Sequence, residues 1–216
     1  MIKSKNQKYL EILKHYKDLI NKYGKNNKGL GWNSKKKNLI RFGIIFNSLI
    51  YIKKKKIKVL DFGSGLSDLH VFFLKKKIKH QYFGIDTSID AINFSKKKFP
   101  YNKYFFIDIL KEKLDRKIIS DLVVMNGIFT IKKKLTDKLM YNYIFNILKK
   151  IKSFNSKVIV FNLLTPNPDW KNRQNFYPSI DKVLKIIKKL YNLNVIIIYE
   201  KKIHEVFLII KKNERN

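Results

Sequence analysis

The sequence contains no cysteine and only four prolines among its 216 residues. The absence of cysteine excludes disulfides, thiolate metal ligands and cysteine nucleophiles, and we predict no metal site. The prolines are too few for a proline-rich linker. No apolar run approaches the roughly 20 residues that a membrane helix needs, so no membrane span is expected. The basic N-terminal segment lacks the apolar stretch and small-residue cleavage site of a secretory signal, so we expect a cytoplasmic protein.

Acidic residues are also scarce: 16 Asp and Glu stand against 48 Lys and Arg, which gives a formal net charge of +32. Such an excess indicates a polyanion partner, because each Lys or Arg laid on a phosphate can release a counterion. The excess is mostly Lys, however, and Asn and Ile are abundant too, as drift toward A- and T-rich codons would produce. Lysine runs such as 53–56 and 75–77 mark helix ends instead of filling one face. The charge therefore leaves RNA binding and codon drift both open.

The order of apolar segments indicates an N-terminal helical pair followed by a region in which strands and helices alternate. Residues 4–23 and 35–52 carry apolar positions at helical spacing, and the residues of the second segment that we expect to face inward include Leu39 and Phe42. The Gly- and Asn-rich stretch 23–34 is typical of a loop. Beyond the second helix, strands are predicted at 57–62, 80–86, 103–108, 120–127, 156–164, 193–202 and 204–212. We therefore divide the chain into a helical cap, 1–52, and an α/β domain, 53–216.

The alternation of strands and helices predicts an α/β fold with a mostly parallel sheet. Continuous apolar strands such as "VIVF", 158–161, are typical of a sheet that is covered on both faces. The last two strands are separated by too few residues for a crossover, so they should pair as an antiparallel hairpin. We therefore expect a parallel sheet that ends in an antiparallel last strand.

A glycine pair follows the first predicted strand. The segment "LDFGSG", 60–65, lies between a strand and a helix, as a ligand-binding glycine turn requires. Gly63 and Gly65 let the main chain approach a ligand closely. Asp68 stands where a dinucleotide fingerprint has its third glycine, Asp61 would repel a pyrophosphate, and the sequence has no P-loop ending. The expected ligand is a nucleoside without phosphates that carries a cationic group, and S-adenosylmethionine fits this description.

The segment from Asp61 to Gly65 resembles the first motif of the class I S-adenosylmethionine-dependent methyltransferases. That motif is an acid, any residue, Gly, any residue and Gly after the first strand. The resemblance covers about residues 57–211. It implies a Rossmann-like, seven-stranded methyltransferase sheet with S-adenosyl-L-methionine as the cofactor. It also implies that Asp61, Gly63, Ser64 and Gly65 bind that cofactor.

Two further acids end the second and third predicted strands. Asp86, followed by Thr87, lies about 20 residues beyond the glycines, where an acid can accept hydrogen bonds from both ribose hydroxyls. The resemblance implies that Asp108 takes the adenine amino group and that Ile109 offers a backbone amide and an apolar face. Asp is also common in turns, so plain strand-end roles are the alternative. Because ligands bind at the carboxyl ends of such strands, we predict that these residues share one site.

The fourth predicted strand ends in Asn126 and Gly127, which we assign to the cofactor site because they match the family's fourth-strand motif in form. Members of the family that methylate exocyclic base amines resemble Asn/Asp-Pro-Pro-aromatic at this point. Both prolines are missing from this chain. Methylation of adenine amines in nucleic acid is therefore disfavoured.

The segment "GLGWNSKKKNLIRF", 29–42, is similar to a loop and helix in a small, poorly characterised subgroup of these methyltransferases. The resemblance implies that Arg41 faces the cofactor carboxylate and that Trp32 lines the mouth of the site. The alternative is a core tryptophan and a solvated arginine. Arg41 is conspicuous because Lys otherwise dominates the basic residues.

The sequence does not identify the methyl acceptor, a general base or the oligomeric state. His204 is expected at the end of the sheet opposite the site. Asn162 is a candidate substrate contact, and the following long loop, with Trp170, Arg173 and Tyr177, is either a lid or a surface connection. Three functions stay open: a methyltransferase for a small-molecule or glycan-type acceptor, an RNA methyltransferase, and a non-catalytic cofactor-binding protein.

Overall fold

The computed structural model of the chain describes residues 8–32, 34–112, 118–169, 171–191 and 193–212. Two sequence predictions fall partly outside these residues: the beginning of the first helix, and Trp170 in the long loop. Within the described ranges, no helix is both long enough and apolar enough to span a bilayer.

The described residues form six α-helices and seven β-strands. The helices are α1 (Leu10–Tyr23), α2 (Lys35–Asn47), α3 (Asp68–Lys75), α4 (Ile89–Lys98), α5 (Asp137–Lys152) and α6 (Ile180–Leu190). The strands are β1 (Ile57–Phe62), β2 (His80–Asp86), β3 (Lys103–Phe106), β4 (Leu122–Met125), β5 (Val158–Leu164), β6 (Asn194–Glu200) and β7 (Glu205–Lys211). Each strand, and each of the first two helices, lies within its predicted range, and the second predicted helix closes with a 3-10 turn at Ser48–Tyr51.

All seven strands belong to one sheet, in the order β3-β2-β1-β4-β5-β7-β6. The first five strands run parallel to one another, whereas β7 is antiparallel to both of its neighbours, β5 and β6. The prediction of a mostly parallel, Rossmann-like sheet with an antiparallel last strand is confirmed. The strand order reverses between β1 and β4, and in such sheets a ligand crevice lies at this point, outside the carboxyl ends of the strands.

Helices cover both faces of the sheet, which explains the continuous apolar strands. One layer contains α1, α5 and α6, and the other contains α2, α3 and α4. Within β1, Leu60 packs in the first layer and Val59 in the second, and both are fully buried. The two N-terminal helices therefore lie on opposite faces, and both share their cores with the sheet. The division of the chain at residue 52 stays a prediction.

The second helix buries a different face from the predicted one. Phe42, which was expected to point inward, is buried, and Arg41 and Ile45 are buried beside it. Leu39, also expected inward, is 57% exposed, so that prediction is wrong. The cause is Arg41. The prediction used only the spacing of apolar residues and so did not count the arginine as inward, whereas in the structure it takes an inward position.

A pair of histidines joins α3 to β2. Nδ1 of His70 lies 2.7 Å from Nε2 of His80, and Nδ1 of His80 lies 2.7 Å from the Ile78 carbonyl oxygen. The rings of Phe99 and Tyr82 pack against His70. Burial lowers the pKa of His70 to about 4, with a further contribution from His80, and burial also lowers the pKa of His80. Both rings are therefore neutral at pH 7.

Acidification is expected to destabilise the fold through this pair. With lowered pKa values the folded state binds fewer protons than the unfolded chain, whose histidines titrate near pH 6.5. The contribution to stability is therefore complete above about pH 6.5 and is lost as the pH falls toward the folded-state pKa of about 4. The raised pKa values of Asp61 and Asp86 act in the opposite direction, so the contribution of the histidines is measured as a difference. Between about pH 7.5 and about pH 5, urea denaturation should show that the wild type loses about 1 kcal/mol more unfolding free energy than a variant without His70.

That variant is His70→Phe, whose unfolding free energy should fall less on acidification than that of the wild type, or should rise. His204→Gln, a change at an exposed histidine, is the matched control and should retain the wild-type dependence. An equally steep dependence in His70→Phe would show that other groups control the acid response.

Candidate functional site

One cavity opens at the carboxyl ends of β1, β2 and β4, where the strand order reverses. Side chains of α1, including Ile12 and Tyr16, cover it from one side. The predicted site residues that line it are Trp32, Asp61, Gly63, Ser64, Gly65, Asp86, Thr87, Asp108, Ile109, Asn126 and Gly127. Arg41 is not among the lining residues. The structure thus brings together residues that are far apart in sequence, and it sets Arg41 apart from them.

The glycine turn leaves a bare length of main chain beside the cavity. Gly63 has a φ of +79°, and a Cβ placed there would come within 2.6 Å of Ile128 Cγ2. Gly65 has a φ of +49°, and a Cβ placed there would lie 3.0 Å from Cδ2 of Leu30. Both positions therefore favour glycine, for conformation and for space. The buried Oγ of Ser64, between them, has no hydrogen-bond partner among the described residues.

Asp61 lies at the end of β1 and is buried. The hydroxyl of Tyr82 donates to its Oδ2 at 2.6 Å. Burial raises the pKa of Asp61 to about 7, although the Tyr82 hydrogen bond opposes the rise, and the nearby charges of Asp86 and Asp68 add to it. A carboxyl group with this pKa gains or loses its proton near neutrality. A bound cation would stabilise its ionised form.

Asp86 connects the end of β2 to the glycine turn. Its Oδ2 accepts the N–H of Gly65 and its Oδ1 accepts the N–H of Ser88, both at 2.8 Å. Burial raises its pKa, and the backbone N–H groups of Gly65, Ser88 and Thr87 oppose that rise. The carboxylate therefore stabilises the turn at the end of β2, which was the alternative to ligand binding in the sequence analysis. It also lines the cavity.

Asp108 lies just beyond β3 and is held by α1. The hydroxyl of Tyr9 donates to its Oδ2 at 2.6 Å, and its Oδ1 accepts the N–H of Leu110 at 3.1 Å. The Tyr9 ring stacks on that of Tyr143, with centroids 5.7 Å apart and planes at 17°. Burial and the adjoining Asp108 raise the pKa of Tyr9.

Sequence reasoning missed the tyrosines at the start and in the middle of α1. Tyr9 and Tyr16 fall on the apolar stripe of an amphipathic helix, so they were interpreted only as packing residues. In the structure the Tyr16 hydroxyl donates to the Gly127 carbonyl oxygen at 3.1 Å, and burial raises its pKa to about 12. The sequence did contain a signal for these contacts. A tyrosine on the inward face of a helix buries a hydroxyl that needs a polar partner, so polar contacts could have been predicted for both residues.

The end of β4 presents an unpaired acceptor and a tight contact. Oδ1 of Asn126 is buried and finds no hydrogen-bond partner among the described residues. Gly127 has a φ of +85°, and a Cβ there would lie 2.5 Å from Cη2 of Trp32. The N–H of Gly127 donates to Oδ1 of Asn162 at 2.6 Å. Asn162 is fully buried, so its place is within the protein's own network and not, as expected, on the substrate.

Arg41 has a protein partner where a cofactor carboxylate was predicted. Its guanidinium donates from Nε to both carboxylate oxygens of Glu205, each at 3.0 Å, and from Nη1 to Oδ1 of Asn38 at 2.7 Å. Arg41 and Glu205 are 7% and 1% exposed. The contact with a cofactor carboxylate therefore has no support in the geometry. The alternative of a solvated arginine also fails, because the side chain is buried.

His204 lies at the site's end of the sheet, contrary to the sequence prediction. Its carbonyl oxygen accepts the N–H of Thr165, just after β5, at 3.0 Å. The cause is the reversed direction of β7, which brings its first residue, Glu205, beside Leu164. The side chain of His204 is exposed and does not line the cavity.

The cavity has the chemistry expected for a phosphate-free, cationic nucleoside. Four carboxyl groups line it, from Asp61, Asp86 and Asp108 at strand ends and from Asp68 at the start of α3, and they would repel a phosphate. The buried, unpaired Oδ1 of Asn126 can accept a hydrogen bond from a ligand, and the unpaired hydroxyl of Ser64 can accept one or donate one. Among the described residues, no group of three or more His, Cys, Asp or Glu side chains could hold a metal ion.

The sequence matches no protein-family model and no curated protein. Similar solved structures include an S-adenosylmethionine-dependent methyltransferase from Leishmania major, at 12% identity over 95% of this chain and 83% of that chain, with a TM-score of 0.69. The plantazolicin methyltransferase BpumL, solved with a pentazolic desmethylPZN analog and SAH, has 14% identity over 96% of this chain and 100% of its own, with a TM-score of 0.62. Magnesium protoporphyrin IX methyltransferase from Synechocystis PCC 6803, solved with SAM, has 9% identity over 82% and 80%, with a TM-score of 0.59. The chain therefore has the fold of the S-adenosylmethionine-dependent methyltransferases, as the sequence motifs predicted.

Proposed function

We propose that this protein is an S-adenosylmethionine-dependent methyltransferase that acts on a small-molecule or glycan-type acceptor. The observation that carries the proposal is the single cavity at the strand switch point, where three strand-end carboxyl groups meet a bare glycine turn. Within this proposal, the cofactor supplies a methyl group already activated on a sulfonium. The protein then has to orient the reactants and exclude water.

The residues that would hold the cofactor are those that the family resemblance implies at each strand end. Asp86 would accept the ribose hydroxyls, and Asp108 with Ile109 would hold the adenine. Asp61 would stabilise the cationic end. The remaining proposed contacts are those of the glycine turn and the end of β4: Gly63, Ser64, Gly65, Thr87, Trp32, Asn126 and Gly127. The unpaired oxygens of Ser64 and Asn126 support this assignment, because a buried polar atom without a partner is costly unless a ligand satisfies it.

The cover over the cavity supports a small acceptor. Tyr9, Ile12, Tyr16 and Ile20 lie along one side of α1 and its start, and all of them line the cavity. The Tyr9 and Tyr16 hydroxyls hold this cover to Asp108 and to the end of β4. A group that reacts beneath the cover must be narrow enough to enter beside a helix.

Isothermal titration with S-adenosylmethionine and S-adenosylhomocysteine tests the proposal directly. Saturable binding of both, with ATP and NAD giving no heat, is the expected result. Binding of a phosphate-bearing nucleotide in preference to S-adenosylmethionine would refute the assignment. Turnover of a labelled methyl group into a panel of small acceptors then separates an enzyme from a non-catalytic cofactor-binding protein.

Affinity for the cofactor is expected to depend on pH through Asp61. In the free protein its pKa is about 7, and a cationic ligand favours the ionised form. Binding near pH 7 should therefore release protons, and the affinity should fall about tenfold between about pH 8 and about pH 6. Calorimetric titration in two buffers of different ionisation enthalpy measures the number of protons released on binding, and its repetition at several pH values measures the change in affinity. Asp61→Asn should bind more weakly and show little of this dependence, whereas Asp90→Asn, which lies outside the cavity, should keep it.

An RNA acceptor is the second candidate, and the net charge of +32 favours it. RNA binding with micromolar affinity at physiological salt and a steep salt dependence would support RNA, because counterions are released from phosphates. A shallow dependence would favour codon drift as the origin of the lysines. The cytoplasmic location expected from the sequence stays a prediction.

A further inference from the structure

A buried ion pair ties α2 to the last strand beside the cavity. Arg41 is one of only four arginines, with Arg116, Arg173 and Arg215, in a chain whose other basic residues are lysines. Its Nε and Nη2 both donate to Glu205, and its Nη1 donates to Asn38. Two hydrogen bonds from one planar guanidinium to one carboxylate fix both groups in orientation, which a lysine ammonium cannot do.

The ion pair continues into the end of β4. Oε2 of Glu205 accepts a hydrogen bond from Nδ2 of Asn162 at 2.7 Å. Oδ1 of the same amide accepts the N–H of Gly127 at 2.6 Å. A single chain of hydrogen bonds therefore runs from α2 through β7 and β5 to Gly127, and all of its side chains are buried.

A second route leads from the same guanidinium to the same glycine. The guanidinium carbon of Arg41 lies 4.3 Å from the centroid of the Trp32 ring. The far edge of that ring is so close to Gly127 that a Cβ there would lie 2.5 Å from Cη2. Trp32 is thus held between the arginine and the glycine. Its indole lines the cavity, whereas Arg41 does not.

We propose that Arg41 and Glu205 are positioning residues that hold Trp32 against Gly127 and so fix the wall of the cavity at the end of β4. They act through the indole and do not touch the ligand. The role differs from the predicted one, in which Arg41 would contact a cofactor carboxylate. The statement about Trp32 stands on the geometry alone, whereas its effect on ligand binding rests on the proposed function.

Fluorescence tests the position of Trp32 without any ligand. Trp170→Phe leaves Trp32 as the only tryptophan, since the chain has two. In this background Arg41→Lys should shift the emission to longer wavelength and increase acrylamide quenching about twofold, because the stacked plane is lost. Arg173→Lys, the same change at an exposed arginine, should alter neither. Unchanged emission and quenching in Arg41→Lys would overturn the proposal.

Replacing both partners of the ion pair by apolar residues gives a second test, in case Arg41→Lys does not fold. Removing one partner of a buried ion pair leaves an uncompensated charge, whereas replacing both by apolar residues is often tolerated. The double variant Arg41→Leu/Glu205→Leu should therefore retain a cooperative unfolding transition and still release Trp32. If its Trp32 emission matches that of the parent, the ion pair does not position the indole.

A double-mutant cycle separates action through Trp32 from direct contact with the ligand. In the otherwise wild-type chain, Arg41→Lys should raise the dissociation constant for S-adenosylmethionine about tenfold. In a Trp32→Ala background, the same change should raise it less than twofold. An equal loss in both backgrounds would show that Arg41 acts on the ligand directly and would overturn the proposal. If the wild-type protein does not bind S-adenosylmethionine, the proposed function fails, and the fluorescence result still decides the role of Arg41.

Discussion

Asp86→Ala is expected to raise the dissociation constant for S-adenosylmethionine by about 100-fold, because two charge-assisted hydrogen bonds to ribose hydroxyls would be lost. The carboxylate also accepts the N–H of Gly65 at 2.8 Å. Its removal therefore loosens the glycine turn at the same time as it removes a ligand contact. Isothermal titration gives the affinity, and a thermal melt gives the accompanying loss of stability.

The matched control is Asp90→Ala, which removes the same charge from the first turn of α4, outside the cavity. It should leave the affinity within about twofold of the wild-type value. An unchanged affinity in Asp86→Ala would mean that the ribose assignment is wrong. Asp86→Asn retains one of the two oxygens, and an intermediate affinity is expected for it.

Gly127→Ala is expected to disrupt the site at the end of β4, which lies on the other side of β1 from Asp86 at the end of β2. A φ of +85° costs an L-residue about 1 to 2 kcal/mol, and the added methyl would lie 2.5 Å from the Trp32 ring. Either the indole or the end of β4 must move. We expect a lower melting temperature, a shift of Trp32 emission to longer wavelength, and a loss of cofactor affinity of at least about tenfold.

Gly43→Ala provides the control for a change of glycine to alanine. Gly43 lies within α2, and a Cβ there would meet nothing within 4 Å. This variant should be stabilised by about 0.5 to 1 kcal/mol, with cofactor affinity unchanged. Wild-type affinity in Gly127→Ala would show that the Trp32 wall does not contribute to binding.

The sequence predictions that the glycine turn and the strand-end acids share one place rest on local rules and on the geometry of parallel strands. A glycine turn between a strand and a helix is visible in six consecutive residues, 60–65. Asp86 and Asp108 could be assigned to one place because parallel strands bring their carboxyl ends to one edge. The structure then brought all of these residues to one cavity.

The parts that were missed depend on contacts between distant segments. Arg41 and Glu205 are 164 positions apart, and no local pattern links an arginine in a helix to an acid in the last strand. Leu39 was misplaced for the same reason, since the buried arginine turned α2. His204 was misplaced although the antiparallel last strand was predicted, because the consequence of that direction was not applied: it puts the first residue of β7 beside the end of β5, where the site lies.

The segment 24–32 has a consequence for the order of assembly. It follows α1, and it lays Leu30 on Gly65 and Trp32 on Gly127. The ribosome makes this segment before any of the strands that it contacts, and it makes Glu205, the partner of the arginine on which Trp32 stacks, much later. If Glu205 helps to hold the indole, as proposed, the Trp32 wall is completed only after β7 has been made and docked. Folding of the cavity is therefore expected to end with the wall that is encoded earlier than the sheet.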